Sequence, residues 1–250
     1  MNSIIFTKPK KITLDCIKFL HEQGENILGV IIYNSEQYRK TEFYCYCQEN
    51  NIRIFNGGEI YENLNVLRGN LDAIYCNTYP KLIKSEVLDL AEKIAINFHM
   101  APLPEYRGVF GVNFAIYNQE KQYGVTVHKI SNHFDEGDII EVDRFDIDSK
   151  NITVQELVEL SEQHLLELFK RTYYSIKNNC SFDYKKQTEG KYYSRKDFEE
   201  LKQIKDTDSE EVIQRKIRAF WYPPYEGAYV KLNGKKYTVL DERILKELKR

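Results

Sequence analysis

The sequence predicts an α/β protein with a Rossmann-like, mostly parallel sheet flanked by helices. Apolar runs at residues 3–7 and 27–33 are typical of buried strands, and residues 13–23 between them place apolar side chains near helical spacing. Gly24 follows that segment in the position of a helix C-terminal cap. Because a strand, a helix and a strand occur within about 30 residues, the two strands are expected to lie parallel, joined by a right-handed crossover.

The rest of the chain continues this alternation and then changes character. Helices are predicted at residues 35–49 and 85–93, from Thr153 onward and from Thr207 onward, and strands at residues 52–55, 72–76, 94–98, 124–130, 139–145, 229–232 and 236–240. Thr153 and Glu156 form a capping-box pattern, and Asn233-Gly234 predicts a type I′ turn between the last two strands. We therefore expect a catalytic domain at residues 1–180 and a C-terminal α+β subdomain with a β-hairpin at residues 181–250.

Composition and charge disfavour several classes of protein. Of the 250 residues, 42% are hydrophobic and 30% are charged, as in ordinary soluble globular proteins. The net charge of −2 disfavours a nucleic-acid partner bound by broad electrostatic attraction. The first residues lack the apolar core of a signal peptide, and no apolar run is long enough for a bilayer, so we expect a cytoplasmic protein without a membrane partner. No G-x-G-x-x-G follows the first strand, which disfavours a dinucleotide cofactor.

Three residues with complementary chemistry are predicted near the end of one strand. The strand at residues 94–98 brings Asn97 and His99 to its carboxyl end, where ligands bind in open α/β sheets, and Asp135 lies in a later turn between apolar strands. An asparagine amide can donate a hydrogen bond to an oxygen that gains negative charge in a tetrahedral intermediate. A histidine can accept a proton near neutral pH, and a carboxylate beside it orients the ring. We predict that these three side chains form a catalytic group.

The sequence around these residues carries a family resemblance. It reads N-F-H-M-A-P-L-P-E-Y-R-G from Asn97, Y-G-V-T-V-H from Tyr123 and D-E-G-D-I-I from Asp135. These motifs resemble the formyltransferases that use N10-formyltetrahydrofolate, and A-P-L-P-E-Y-R-G is most similar to the subgroup that formylates nucleotide-linked 4-amino sugars. The block R-A-F-W-Y-P-P-Y-E-G-A from Arg218 resembles the C-terminal part of the same family.

The resemblance implies an activity and a role for each predicted catalytic residue. A formyl group would pass from the cosubstrate N10-formyltetrahydrofolate to the amine of a nucleotide-linked amino sugar. The expected acceptor is a dTDP-4-amino-4,6-dideoxyhexose, for cell-surface glycan (O-antigen or capsule type) biosynthesis. Asn97 would bind the oxyanion, His99 would take the proton from the attacking nitrogen, and Asp135 would position His99 and assist the proton toward the folate. The resemblance also implies a homodimer, formed through the C-terminal hairpin region.

Binding residues are implied on both sides of this group. The resemblance implies a pterin pocket between residues 78–83 and the turn before Asp135, formed largely by backbone. Its candidate side chains are Tyr79, Ile83, Phe134 and Asp138. The candidate residues for the nucleotide-linked acceptor are Lys8, Lys10, Arg107, Trp221 and Tyr222.

Alternatives remain open for some of these candidates. Lys8 and Lys10 follow the first strand and suit a diphosphate, but a solvated basic turn explains them equally well. Trp221 or Tyr222 suits stacking on a base, while packing of the small subdomain also explains an aromatic cluster. For His128 the expected role is that of a hydrogen-bonded sheet residue, although the resemblance places a histidine here in the sugar-modifying subgroup.

No metal is expected. The spacing of His128, His133, Asp135 and Asp138 matches no usual ligand pattern, and the five cysteines lack zinc-ribbon spacing and are expected to be free thiols. One departure from the family pattern lies beside His99, where Met100 replaces the usual proline. The resemblance also leads us to expect a cis bond between Leu103 and Pro104.

Other functions use the same or a related fold. A glycinamide-ribonucleotide formyltransferase would keep a Gly/Ser-rich phosphate loop after the first strand, and a methionyl-tRNA formyltransferase would have a larger, basic C-terminal domain. A formyl-folate hydrolase would use the same three residues with water as the acceptor. A non-catalytic nucleotide-sugar binding protein would keep the fold without turnover.

Overall fold

The computed structural model describes residues 1–248 and contains a seven-stranded central sheet. The strands in chain order are β1 (Asn2–Thr7), β2 (Asn26–Ile32), β3 (Ile54–Asn56), β4 (Ala73–Asn77), β5 (Ile94–His99), β6 (Arg107–Gly108), β7 (Gln122–Lys129), β8 (Ile139–Asp146), β9 (Tyr192–Tyr193), β10 (Tyr229–Leu232) and β11 (Lys235–Thr238). The central sheet has the order β3-β2-β1-β4-β5-β7-β8. Its first five strands are parallel, while β7 and β8 are antiparallel to their neighbours. The predicted α/β fold with a mostly parallel sheet is confirmed.

Helices cover the sheet and build the C-terminal region. They are α1 (Lys11–Glu22), a 3-10 helix (Ser35–Tyr38), α2 (Glu42–Glu49), α3 (Glu59–Glu62), α4 (Leu64–Leu67), α5 (Ser85–Leu88), α6 (Gly111–Tyr117), α7 (Val154–Lys177), α8 (Arg195–Lys202), α9 (Glu210–Phe220) and α10 (Glu242–Glu247). Among the described residues, no helix has both the length and the apolar character needed to cross a membrane.

Alternation along the strands divides the core between the two faces of the sheet. Ile5, Tyr75 and Phe98 pack with α1 and α7 on one face. Phe6 and Cys76 face the other side and pack with α3, α4 and α5. A third cluster joins α6 and the start of α7 to α9 and the C-terminal hairpin. The C-terminal region therefore shares a hydrophobic core with the segment that follows β5.

Several local predictions match the structure. Thr153 Oγ1 accepts a hydrogen bond from Glu156 N at 3.1 Å, and Glu156 Oε2 accepts one from Thr153 N at 2.8 Å, so the capping box is present. Asn233 and Gly234 both have positive φ, at 49° and 77°, as a type I′ turn requires. The Leu103–Pro104 bond is cis, as expected.

Other helix boundaries differ from the prediction, two of them because side chains form caps at positions that were not predicted. Residues 35–49 are not one helix: Thr41 Oγ1 accepts from Tyr44 N and begins α2 after the 3-10 helix. The helix predicted at residues 85–93 ends at Leu88. The helix predicted from Thr207 begins later, at Glu210, with Ser209 as its cap.

Candidate active site

Asn97 lies near the carboxyl end of β5 and is bound by a buried histidine on the neighbouring strand. His128 Nδ1 lies 2.8 Å from Lys129 O, and a carbonyl oxygen only accepts, so Nδ1 carries the hydrogen. His128 Nε2 is then the acceptor for Asn97 Nδ2 at 2.9 Å. Burial lowers the pKa of His128 to about 4, against an opposing effect of Asp135, so the ring is neutral at neutral pH. This pairing orients the Asn97 amide, and one amide N–H remains for a ligand.

The His128 pairing goes beyond the role expected from the sequence. The ring is hydrogen-bonded within the sheet, as expected, and it is also part of the candidate site because it binds Asn97. The two residues are direct partners in the antiparallel register of β5 and β7. The sequence alone does not reveal this strand register, so the pairing itself could not be predicted. The Y-G-V-T-V-H motif, which ends at His128, was nevertheless a sequence signal for this residue.

His99 is held by the loop that follows β5. Its Nε2 donates to Tyr106 O at 2.8 Å, which leaves Nδ1 as the nitrogen that can take a proton. Nδ1 lies 3.5 Å from Asp135 Oδ1. The side chains of His99 and Asp135 are 13% and 11% exposed, so the pair lies at the edge of the protein interior rather than sealed within it.

The Asp135 turn brings the carboxylate to the end of β5. Asp135 has φ +56°, an uncommon conformation for a residue other than glycine, and its Oδ2 accepts from Gly108 N at 2.9 Å. Gly137 packs so tightly that an added Cβ would lie 1.8 Å from Lys129 O. The predicted group of Asn97, His99 and Asp135 therefore meets at one point on the rim of the sheet.

The predicted pterin-pocket residues differ in exposure. Ile83 is buried in the core cluster beside α5, and Tyr79 is half-buried with its ring edge-on to Phe6 at 5.1 Å. Burial raises the pKa of Tyr79 to about 12. Phe134 is 43% exposed beside the Asp135 turn, and the Asp138 carbonyl accepts from Lys129 N.

The predicted acceptor-side residues also differ in their contacts. Burial lowers the pKa of Lys8, and the positive charges of Lys10 and Arg195 lower it further. The Arg107 guanidinium is bound to protein groups, donating to Gln187 Oε1 at 3.0 Å and to Thr188 O at 2.9 Å.

The two aromatic candidates lie in the C-terminal region. Trp221 is half-buried against the third core cluster. The Tyr222 ring stacks on the exposed Tyr225 ring at 5.9 Å. Burial raises the pKa of Tyr222, and the negative charge of Glu162 raises it further. Arg195 and Tyr225 were not predicted as site residues, although Tyr225 lies within the R-A-F-W-Y-P-P-Y-E-G-A block.

The end of β4 contains two further polar residues, Asn77 and Thr78, of which Thr78 begins the predicted pterin-pocket loop. Within residues 1–248, the Asn77 amide atoms and Thr78 Oγ1 are buried without a hydrogen-bond partner. Thr78 also has φ +59°, which is unusual for a β-branched residue. Asn77 is paired in register with Thr7, so it faces the α1 side of the sheet. Such backbone conformations and unpartnered groups concentrate at functional sites.

Comparison with known proteins identifies the family. The family model described as formyl transferase matches residues 58–168. GDP-perosamine N-formyltransferase of Brucella melitensis is 30% identical over 180 residues, covering 72% of this chain and 68% of that protein. The chain belongs to the formyltransferase family. It is an enzyme that transfers a formyl group.

Two further formyltransferases are similar over most of the chain. A methionyl-tRNA formyltransferase of Finegoldia magna is 25% identical over 269 residues, covering 98% of this chain and 81% of that protein. The solved N-formyltransferase of Helicobacter canadensis, in complex with folinic acid and dTDP-3-aminofucose, has a TM-score of 0.74 and 25% identity. That similarity covers 94% of this chain and 85% of the other. Within residues 1–248, no group of three or more His, Cys, Asp or Glu side chains is arranged to bind a metal.

Proposed function

We propose that this formyltransferase transfers the formyl group of N10-formyltetrahydrofolate to the amine of a nucleotide-linked amino sugar. The proposed acceptor is a dTDP-4-amino-4,6-dideoxyhexose used for cell-surface glycan biosynthesis. The convergence of Asn97, His99 and Asp135 is the observation that carries the proposal. The similarity to a protein named GDP-perosamine N-formyltransferase and to an N-formyltransferase solved in complex with dTDP-3-aminofucose supports a nucleotide-sugar acceptor.

The hydrogen-bond pattern of the site suggests which atom of each proposed catalytic residue takes part in the reaction. As the acceptor nitrogen bonds to the formyl carbon, the free Asn97 N–H stabilises negative charge on the formyl oxygen. His99 Nδ1 accepts the proton that the attacking nitrogen loses, and Asp135 Oδ1 stabilises the resulting imidazolium. The bond between the formyl carbon and N10 then breaks, and the proton held by His99 is transferred to N10. The products are a formamide and tetrahydrofolate.

The folate side of the site fits a flat, partly apolar ligand. Phe134 and Leu82 are exposed on the Asp135 turn and on the loop after β4. Exposed apolar side chains beside a polar catalytic group suit a ligand with an aromatic body and hydrogen-bonding edges. Tyr79, Ile83 and the backbone near Asp138 would form the wall of this pocket.

The acceptor side fits a diphosphate joined to a base. Lys8, Lys10 and Arg195 supply positive charge next to the end of β1. Glu162 on α7 interacts electrostatically with both Lys10 and Tyr222, which supports a common acceptor site for the basic and aromatic groups. We propose that Lys8 and Lys10 bind the diphosphate and that Tyr222, with Trp221 beside it, contacts the base. Arg107 contributes indirectly, through its bonds to Gln187 and Thr188.

We also propose that the enzyme works in the cytoplasm as a homodimer formed through its C-terminal hairpin. Leu232 and Tyr237 on the two hairpin strands are 59% and 50% exposed, an unusual exposure for large apolar side chains. Light scattering after gel filtration measures this directly. A monomer mass across the working concentration range would contradict the dimer.

A panel of acceptors tests the proposed function. The purified protein is incubated with N10-formyltetrahydrofolate and with 3-amino or 4-amino sugars linked to dTDP or GDP, with methionyl-tRNA and water as separate arms. We expect a mass gain of one formyl group on the dTDP-linked 4-amino sugar and no folate release without an acceptor. Formylation of methionyl-tRNA alone would support the second candidate, which the Finegoldia magna similarity favours. Folate release with water alone would identify a hydrolase.

Removal of the catalytic side chains tests the assignment of roles. His99→Ala and Asp135→Ala are expected to fold normally and to lose most of their turnover, and loss of the Asn97 donor typically costs about 100- to 1,000-fold in rate. His21→Ala is the matched control, because His21 lies exposed on α1 and bonds to Tyr46. Near-parent turnover by either site variant, with native circular dichroism, would overturn the assignment.

A further inference from the structure

The segment at residues 185–193 runs across both loops that meet at the catalytic carboxylate. Lys185 and Ile139 exchange two backbone hydrogen bonds at 2.8 Å. Arg107 N donates to Lys191 O, and Val109 N donates to Tyr193 O, both at 3.0 Å. Gly190 lies directly against the loop after β5, since an added Cβ would lie 2.0 Å from Pro104 O. The 185–193 segment therefore contacts both loops although it is distant in sequence from all three catalytic residues.

Gln187 is the side chain in this segment that contacts the Asp135 turn. Its Nε2 donates to Asp135 O at 2.8 Å and to Gly137 O at 2.7 Å. Its Oε1 accepts from Arg107 Nε at 3.0 Å. Both N–H groups and the carbonyl oxygen of the amide are thus used, and they connect the turn to the loop before Val109.

These bonds act on the backbone that carries the carboxylate. Asp135 adopts φ +56°, a backbone conformation that persists only where the surroundings stabilise it. The backbone of the turn is bound by Gln187, and the carboxylate is bound by Gly108 N at 2.9 Å. Gly108 follows Arg107, which also bonds to Gln187. One amide therefore fixes both loops that set the distance between Asp135 Oδ1 and His99 Nδ1.

We propose that Gln187 is a positioning residue for formyl transfer, which acts by fixing the Asp135 carboxylate relative to His99. The inference rests on the proposed function, because it assigns Gln187 to the same catalytic group. A glutamine serves here because it donates two hydrogen bonds to carbonyl oxygens and accepts one from a guanidinium. A glutamate of the same shape accepts only, so it would place negative charge against two carbonyl oxygens.

The first test compares Gln187→Glu with the parent enzyme. We expect kcat to fall about 10- to 100-fold with little change in the KM of either substrate, since small misplacements of catalytic groups have effects of this size. Gln187→Met, which keeps the length and removes all polar groups, is measured in parallel in case the glutamate variant folds poorly. Gln48→Glu is the matched control, because Gln48 is exposed on α2 away from the site, and it should retain parent turnover.

A double-mutant cycle separates positioning from general stabilisation. If Gln187 acts through Asp135, the Gln187→Glu substitution should have little further effect on kcat in an Asp135→Asn background. A full additional loss in that background would overturn the proposal, as would parent kcat in the single variants.

Amide exchange gives a readout that does not depend on turnover. The Gly108 N–H, which is bound by the Asp135 carboxylate, should exchange faster in Gln187→Glu than in the parent or in Gln48→Glu. Unchanged exchange at Gly108 would contradict the inference alone. Absence of formyl transfer by the parent enzyme would instead contradict the proposed function.

Discussion

At the scale of single residues, protonation of the His128 ring would change the hydrogen bonding of the candidate site. Its Nε2 accepts from Asn97 Nδ2, so it performs this role only while that nitrogen is unprotonated. Burial keeps it so by lowering its pKa to about 4. Protonation would place two donors against each other and release the Asn97 amide from its orientation.

This arrangement predicts a loss of stability in acid. Between the ordinary pKa of 6.5 and the folded-state value of about 4, the unfolded chain binds a proton that the folded protein excludes. The contribution of His128 to the free energy of unfolding is therefore complete above about pH 6.5. It declines by on the order of 2–3 kcal/mol as the pH falls toward about 4. Urea unfolding at about pH 7 and about pH 5 measures this change.

The control for the pH effect is His128→Gln, because a glutamine side chain presents an acceptor and does not titrate. We expect the loss of unfolding free energy between the two pH values to be smaller in this variant than in the parent. An equal loss in both proteins would mean that other groups account for it.

At the scale of elements, the turn between β7 and β8 combines a left-handed Asp135 with a closely packed Gly137. A Cβ on Gly137 would lie 1.8 Å from Lys129 O, on a strand that cannot move without disturbing His128. Gly137→Ala is therefore expected to displace the turn, lower the unfolding free energy by about 1–3 kcal/mol or more, and reduce kcat. Thermal unfolding and turnover are the measurements.

Gly58→Ala is the matched control for the Gly137 substitution. No atom lies within 4 Å of a Cβ at Gly58, and its φ of −84° suits any residue. Its stability and turnover should remain near the parent values. If both variants behave alike, close packing of the turn does not matter for activity.

Features of the fold and site that depend on local sequence patterns could be predicted, and features that depend on distant contacts could not. The hydrophobic pattern located the parallel strands, and the motif beginning at Asn97 indicated the candidate catalytic residues, because both signals are local. The role of Gln187 could not be predicted, since its three partners lie more than 45 residues away and residues 178–190 have no periodicity. By contrast, the capping box of Ser194 and Asp197 was a local signal for α8 that went unused.

Tertiary contacts also explain why α9 begins at Glu210 rather than directly after Thr207. Asp208 accepts from Lys205 N and from the buried Lys216 Nζ, at 2.8 and 2.6 Å. These bonds fix residues 205–208 as a turn, so the helix begins after it with Ser209 as the cap. Thr207 and Ser209 are both good capping residues, and the choice between them depends on a lysine in the following helix.

At the scale of the whole molecule, the C-terminal region is joined to the preceding part of the chain by packing as well as by the 185–193 segment. Phe220 is fully buried in the cluster that contains Tyr106 and Val112. Asn113 Nδ2 on α6 donates to Ala219 O on α9 at 2.8 Å, inside the protein. The division at residue 180 predicted from the sequence thus crosses a shared core, and we expect the two parts to unfold together.

Fluorescence of Trp221, the only tryptophan, tests this cooperativity because it reports on the C-terminal region while far-ultraviolet circular dichroism reports on the whole chain. We expect coincident urea transitions by the two probes. Phe220→Ala should shift both transitions together, with a loss of about 3–5 kcal/mol, because it empties a site shared by α6, α8 and α9. Leu245→Ala, which changes an exposed side chain on α10 outside the hairpin, is the control and should change the stability little. A fluorescence transition that precedes the circular dichroism transition would mean that the C-terminal region unfolds independently.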